Sequence, residues 1–152
     1  LSQRILTIHF RRNYCKPSRV LMKILLDTQI FLWYISADGR LPKLLKEAII
    51  DPNNDVFLSV VSLWEIIVKH QLGKLPLPQS PEVYIPQKRE LHQIASLDLD
   101  ESSVAQLINL PSLHRDPFDR MLICLALQHT MSLATVDRNT LQYPVRLFGL
   151  AA

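Results

Sequence analysis

The chain has 152 residues, 48% hydrophobic and 20% charged, a balance that fits one globular domain able to bury a core. Its formal charge of +3 is uneven: residues 1–21 hold Arg4, Arg11, Arg12, Lys16 and Arg19 and no acid, so 12 of the 17 basic residues face all 14 acids from Met22 onward. The basic balance thus belongs to the head and gives little ground for reading the domain as a polycation, while two cysteines are too few for a disulfide framework.

Residues 1–21 show no sustained periodicity. They are read as a basic N-terminal extension, disordered or not native, with Met22 as a natural start and a domain over 22–150. A real basic arm for RNA or a partner is the other reading. Apolar runs near the N-terminus are too short for a signal segment or a membrane span, which suggests a cytoplasmic protein.

From Lys23 element types alternate. "KILL" (23–26) is an apolar run suited to a buried parallel strand, and "TQIFLWYIS" (28–36) follows as a helix. "LPKLLKEAII" (41–50) places Leu41, Leu44, Leu45, Ala48 and Ile49 at helical spacing. "DVFLS" (55–59) is a second strand, and "VVSLWEIIVKHQL" (60–72) a helix ending at Gly73. Ser80 before Pro81 predicts a capped helix towards Leu91, kinked at Pro86. "IASL" (94–97) is a short strand, "DESSVAQLINL" (100–110) a capped helix and "DPFDRMLICLALQH" (116–129) another, with Cys124 as a small buried apolar residue. "SLATV" (132–136) is a strand, and "YPVRLF" (143–148) an edge-like one. Such alternation with continuous apolar strands predicts an α/β fold, a central parallel sheet covered on both faces.

Sites in open α/β sheets form beyond the carboxyl ends of the strands. Asp27 stands directly after "KILL" and Asp137 directly after "SLATV". Glu65 has two readings. It closes an S-x-x-E capping box with Ser62, or, if Ser59 caps the helix, it lies in the second turn with no capping role. Asp116 before Pro117 suits an N-cap, and Asp119 would share its side of the helix. Taken alone, that pair reads as structural. With Asp27, Glu65 and Asp137 it becomes part of a carboxylate set. Clustered carboxylates repel unless a cation neutralises them, and hard divalent ions such as Mg²⁺ or Mn²⁺ take oxygen ligands. With no phosphate-binding glycine loop, no Cys or His metal spacing and no Ser/His triad, the pattern points to metal-dependent phosphodiester cleavage.

Four segments, "MKILLDTQIFLWYI", "LSVVSLWEIIVKHQLGKLPLP", "LPSLHRDPFDRMLICLALQ" and "LATVDRNTLQYPV", together resemble a PIN domain of the VapC type, the ribonuclease toxin of bacterial toxin–antitoxin pairs. The likeness runs from Met22 to about Leu147; "DPFDRMLI" and "VSLWEI" are fairly specific, and "LLDT" alone is weak. It implies a three-layer α/β/α PIN-like fold and an endoribonuclease that uses Mg²⁺ or Mn²⁺. By the resemblance, Asp27, Glu65, Asp119 and Asp137 are the catalytic, metal-holding acids. Thr28 and Thr135 are helpers, and Asp116 is an additional acid. It also implies RNA as substrate, a cognate antitoxin that inserts into the acidic groove, and a homodimer. His114, Arg115, Arg120 and Arg138 flank the acids as phosphate contacts or as solvated charges. Trp33 and Trp64 are read as core or dimer contacts.

Other classes remain. A phosphotransfer enzyme also places acids at strand ends. However, Asp27-Thr28-Gln29 lacks the second aspartate of a haloacid-dehalogenase-like site, and the early acid pair and late lysine of a receiver are missing. A non-toxin PIN-like RNA-binding or RNA-processing protein is the remaining alternative.

Overall fold

The computed structural model describes residues 22–112 and 116–150. The predicted extension over residues 1–21 and the residues His114 and Arg115 lie outside them. Among the described residues five strands form one parallel sheet. In chain order the elements are β1 (Lys23–Leu26), α1 (Thr28–Ile35), α2 (Lys43–Ile50), β2 (Asp55–Ser59), α3 (Val60–Gln71), α4 (Pro81–Leu91), β3 (Ala95–Leu97), α5 (Glu101–Ala105), α6 (Pro117–Gln128), β4 (Ser132–Ala134) and β5 (Leu147–Phe148). Short 3-10 turns cover Gln106–Asn109 and Arg138–Gln142.

The strand order is β3-β2-β1-β4-β5. The chain leaves β1 towards β2 and β3, then returns to lay β4 on the other side of β1. The winding direction therefore reverses between β1 and β4, the place where α/β sheets open a crevice at their carboxyl ends.

β1 shows why this sheet is central. Ile24, Leu25 and Leu26 are all fully buried. Ile24 and Leu26 face one core with Ile30, Phe31, Leu45 and Ile66, while Leu25 faces the other with Val61, Leu122, Ile123 and Leu125. Alternate side chains of a strand point to opposite faces, so three consecutive apolar residues need helices on both sides. Each such burial contributes roughly 1.5–3 kcal/mol. Cys124 lies in the second core as the sequence suggests.

Helix boundaries follow local chemistry. Ser59 caps α3 by accepting from the Val61 N–H at 3.0 Å, so Glu65 falls in the second turn and the capping-box reading is excluded. Gly73, with φ of +72°, ends α3 in the left-handed conformation. The Ser80 cap and the helix over 100–110 need adjustment, and of the strand expected over 143–148 only Leu147–Phe148 forms. Ser80 occupies the cap position of α4 but makes no side-chain cap bond, and Pro81 stands at the first helical position. Pro86 lies inside α4, which continues as one element to Leu91. The helix expected over 100–110 is α5 followed by a 3-10 turn, and the Asp100 carboxylate accepts from Ser103 Oγ and pairs with His129 Nε2 at 3.0 Å instead of capping the backbone.

Candidate active site

The carboxyl end of β1 delivers Asp27 to the switch point, where its N–H still bonds the Ala134 carbonyl at 2.9 Å. The side chain then has two duties. Oδ1 accepts from the Gln29 N–H at 3.0 Å, capping α1, and Oδ2 accepts from Thr135 Oγ1 at 2.7 Å. Thr135 is fully buried just past β4, and its hydroxyl oxygen also accepts from the Asp137 N–H at 3.0 Å. One threonine, 108 positions from Asp27, thus ties the first and last acids of the pattern together. Asp137 in turn caps the following 3-10 turn through the Asn139 N–H.

Glu65 arrives from α3 and is 4% exposed. Thr28 Oγ1 lies 2.7 Å from Glu65 Oε1 and 2.9 Å from Ser62 Oγ. A hydroxyl has one proton, so Thr28 donates to the carboxylate and accepts from Ser62. Glu65 Oε2 accepts from Lys69 Nζ at 2.5 Å, one turn further along α3. The sequence pattern alone does not mark Ser62 and Lys69 as site residues. Their spacings of −3 and +4 from Glu65, which put all three on one helix face, were the available signal.

Asp116 caps α6 as expected, its Oδ1 accepting from the N–H groups of Phe118 at 2.9 Å and Asp119 at 3.4 Å. Asp119 follows in the first turn. Trp64 and Phe118, each one residue before an acid, meet edge to face with centroids 4.8 Å apart, which brings the acid-bearing parts of α3 and α6 side by side. Trp64 is 56% exposed, so of its two expected roles, core or dimer contact, the core is ruled out; it lies on the surface beside the acids. Trp33 is half-buried with the Arg40 guanidinium over its ring.

The electrostatics tie these groups together. Burial pushes the Asp27 carboxyl above its ordinary range; the hydrogen bonds from Thr135 and Gln29 oppose this, and the charges of Glu65 and Asp137 add to it. Burial disfavours the Lys69 ammonium, but the hydrogen bond to Glu65 and the charges of Glu65, Asp116 and Asp119 outweigh it and hold the lysine pKa up. Asp27 therefore senses Glu65 and Asp137, and Lys69 senses Glu65, Asp116 and Asp119. Of the flanking cations, Arg138 is exposed next to Asp137, and Arg120 donates to the Pro111 carbonyl at 2.8 Å.

Among the described residues, no three His, Cys, Asp or Glu side chains already stand together as a metal-holding group. Asp27, Glu65, Asp116 and Asp137 are each engaged by hydroxyl, amide or ammonium donors of the chain. The donor set is nevertheless all oxygen, and mutual repulsion adds to the cost of ionising Asp27. That chemistry fits a hard divalent cation. Among the described residues no helix is long and apolar enough to cross a membrane.

The PIN domain family model matches residues 24–145. Ribonuclease VapC16 of Mycobacterium tuberculosis is 34% identical over 55 residues, covering 36% of this chain and 39% of the relative's length. The chain therefore spans about two fifths of that curated relative. A chain in the crystal structure of VapBC2 from Rickettsia felis, bound to a DNA fragment from its promoter, superposes with a TM-score of 0.64 at 16% identity, covering 84% of this chain and 98% of that one. A chain of the DNA-bound VapBC from Salmonella typhimurium gives 0.61 at 19% identity over 84% and 98%. These two likenesses establish the three-layer fold.

Proposed function

This chain belongs to the PIN domain family, and from that premise we propose that it is a divalent-metal-dependent endoribonuclease, the toxin of a toxin–antitoxin pair. The observation that carries the reading is the pair of threonine bridges. Thr135 holds Asp27 beside Asp137, and Thr28 holds Glu65, both at the switch point of the sheet. The likeness to a ribonuclease and to VapBC chains supports the same activity.

Asp27, Glu65, Asp119 and Asp137 would hold Mg²⁺ or Mn²⁺. Such an ion, when bound, supplies charge neutralisation at the phosphodiester, a more acidic water and support for the leaving oxygen. The chain's own residues do the rest. Thr28 and Thr135 fix carboxylate orientation, as partners behind metal ligands commonly do. Asp116 fixes the start of α6 and so the position of Asp119. Arg138, exposed beside Asp137, would meet an RNA phosphate. Arg120 already serves the Pro111 carbonyl and is the weaker candidate, while His114 and Arg115 keep their proposed phosphate role from sequence alone. A cognate antitoxin covering this acidic groove, a homodimer and a cytoplasmic location complete the proposal.

The test is cleavage of labelled structured and unstructured RNAs by the purified chain in Mn²⁺ or in EDTA. Cuts within the RNA that need the metal support the reading. Binding without cleavage in either condition would move the chain to the RNA-binding alternative.

A further inference from the structure

Lys69 is a cation that the acidic site carries itself. Its ammonium lies 2.5 Å from Glu65 Oε2, while the opposite oxygen of the same carboxylate is taken by Thr28. The Glu65 side chain is 5% exposed but that of Lys69 is 47% exposed, so the lysine reaches in from water to a buried acid. Asp116 and Asp119 act on the same ammonium from α6. Asp27 is engaged differently: its partners are a neutral hydroxyl and a neutral amide, which favour a carboxylate without repelling a second cation.

We propose that Lys69 is a built-in counter-cation of the site, seated on Glu65 Oε2 in the metal-free protein and displaced, or pushed outward on its flexible stem, when a divalent ion reaches that carboxylate. This rests on the metal-dependent reading above. Lys69 is then a positioning and charge-balancing residue. It keeps a buried carboxylate paired while no ion is bound, and it weakens ion binding through repulsion and competition for one oxygen. A purely structural lysine, needed only to hold Glu65 in place, would do the opposite: its loss would loosen the ligand and weaken ion binding. The two roles differ in sign.

The experiment is calorimetric titration of the full chain with Mn²⁺ at low salt, on the wild type and on Lys69→Gln, Lys69→Met and Lys69→Arg, with melting in EDTA measured in parallel. A unit charge within several ångströms of a divalent ion changes affinity by about tenfold even when well screened by water. Both neutral variants should therefore bind Mn²⁺ roughly tenfold more tightly. They should also melt lower in EDTA and show a larger rise in Tm on adding Mn²⁺. Lys69→Arg should stay near wild type in all three. Unchanged or weaker Mn²⁺ binding in both neutral variants overturns the inference. If the wild type neither binds Mn²⁺ nor cleaves RNA, the functional reading has failed and this one with it. If the wild type does both and the neutral variants do not bind more tightly, only the role of Lys69 has failed.

Discussion

Asp116 and Asp119 are three residues apart and both acidic, yet the structure gives them different work. Asp116 Oδ1 accepts from two backbone N–H groups of the first turn of α6, at 2.9 and 3.4 Å. Truncating such a cap costs about 1 kcal/mol. Asp116→Ala should therefore lower Tm by about 3–5 °C in a domain of this size. Cleavage should weaken only mildly, as the start of the helix loosens. Asp116→Asn keeps the accepting oxygen and removes only the charge; asparagine caps about as well as aspartate, so its Tm should stay close to wild type. Asp119→Asn should lower Tm less than Asp116→Ala, because its backbone N–H, not its side chain, takes part in the cap. Its cost should fall on cleavage, by on the order of a hundredfold or more, the scale of a lost electrostatic contact to a reacting group. Thermal melts and single-turnover RNA cleavage on the three variants separate the roles. An unchanged Tm in Asp116→Ala would refute the cap reasoning. Loss of activity in Asp116→Asn with full activity in Asp119→Asn would show the two roles assigned the wrong way round.

Asp27→Asn should raise Tm in EDTA at neutral pH. The folded protein holds this carboxyl above its ordinary value of 3.8, chiefly through burial, so the contribution of Asp27 to stability falls as pH rises from there through the raised pKa, and removing the charge removes that loss. A lower Tm at neutral pH would mean that the accepted hydrogen bonds outweigh burial. Thr135→Val should destabilise by roughly 1–3 kcal/mol, because it strips a bond from Asp27 and orphans the Asp137 N–H. It should also cut activity or metal affinity by about 10- to 100-fold, read by denaturant titration and by cleavage rate. Leu25→Ala, at a fully buried central-strand position, should cost about 2–5 kcal/mol in urea unfolding.

The strands and most helices were legible because their signals are local. "KILL" is apolar at every position since both faces of β1 are covered, and the Asp116-Pro117 pair announces a helix start wherever it lands. Signals that depend on distant partners were harder to read. Of "YPVRLF" only Leu147–Phe148 is strand, since these are the residues that find Leu133 and Ala134 across the ladder. Asp100 looked like a cap, but His129, 29 positions away, takes its carboxylate. The addresses of Asp27 and Asp137 followed from strand ends alone, whereas the Thr135 bridge between them depends on β1 and β4 being neighbours, which no local pattern reveals. Lys69 was hidden by ordinary helix composition: an i,i+4 Glu–Lys pair is usually a solvated surface pair, and only the burial of Glu65 makes this one unusual.

The proposed activity turns on Asp27, the acid tied to Thr135 and within electrostatic reach of both Glu65 and Asp137. The most direct measurement is the single-turnover cleavage rate of an end-labelled RNA by wild type and Asp27→Asn at saturating Mn²⁺, with matched melting curves. The wild type should cleave, and a fully folded Asp27→Asn should show no cleavage above background. Equal rates for the two proteins would contradict this role of Asp27.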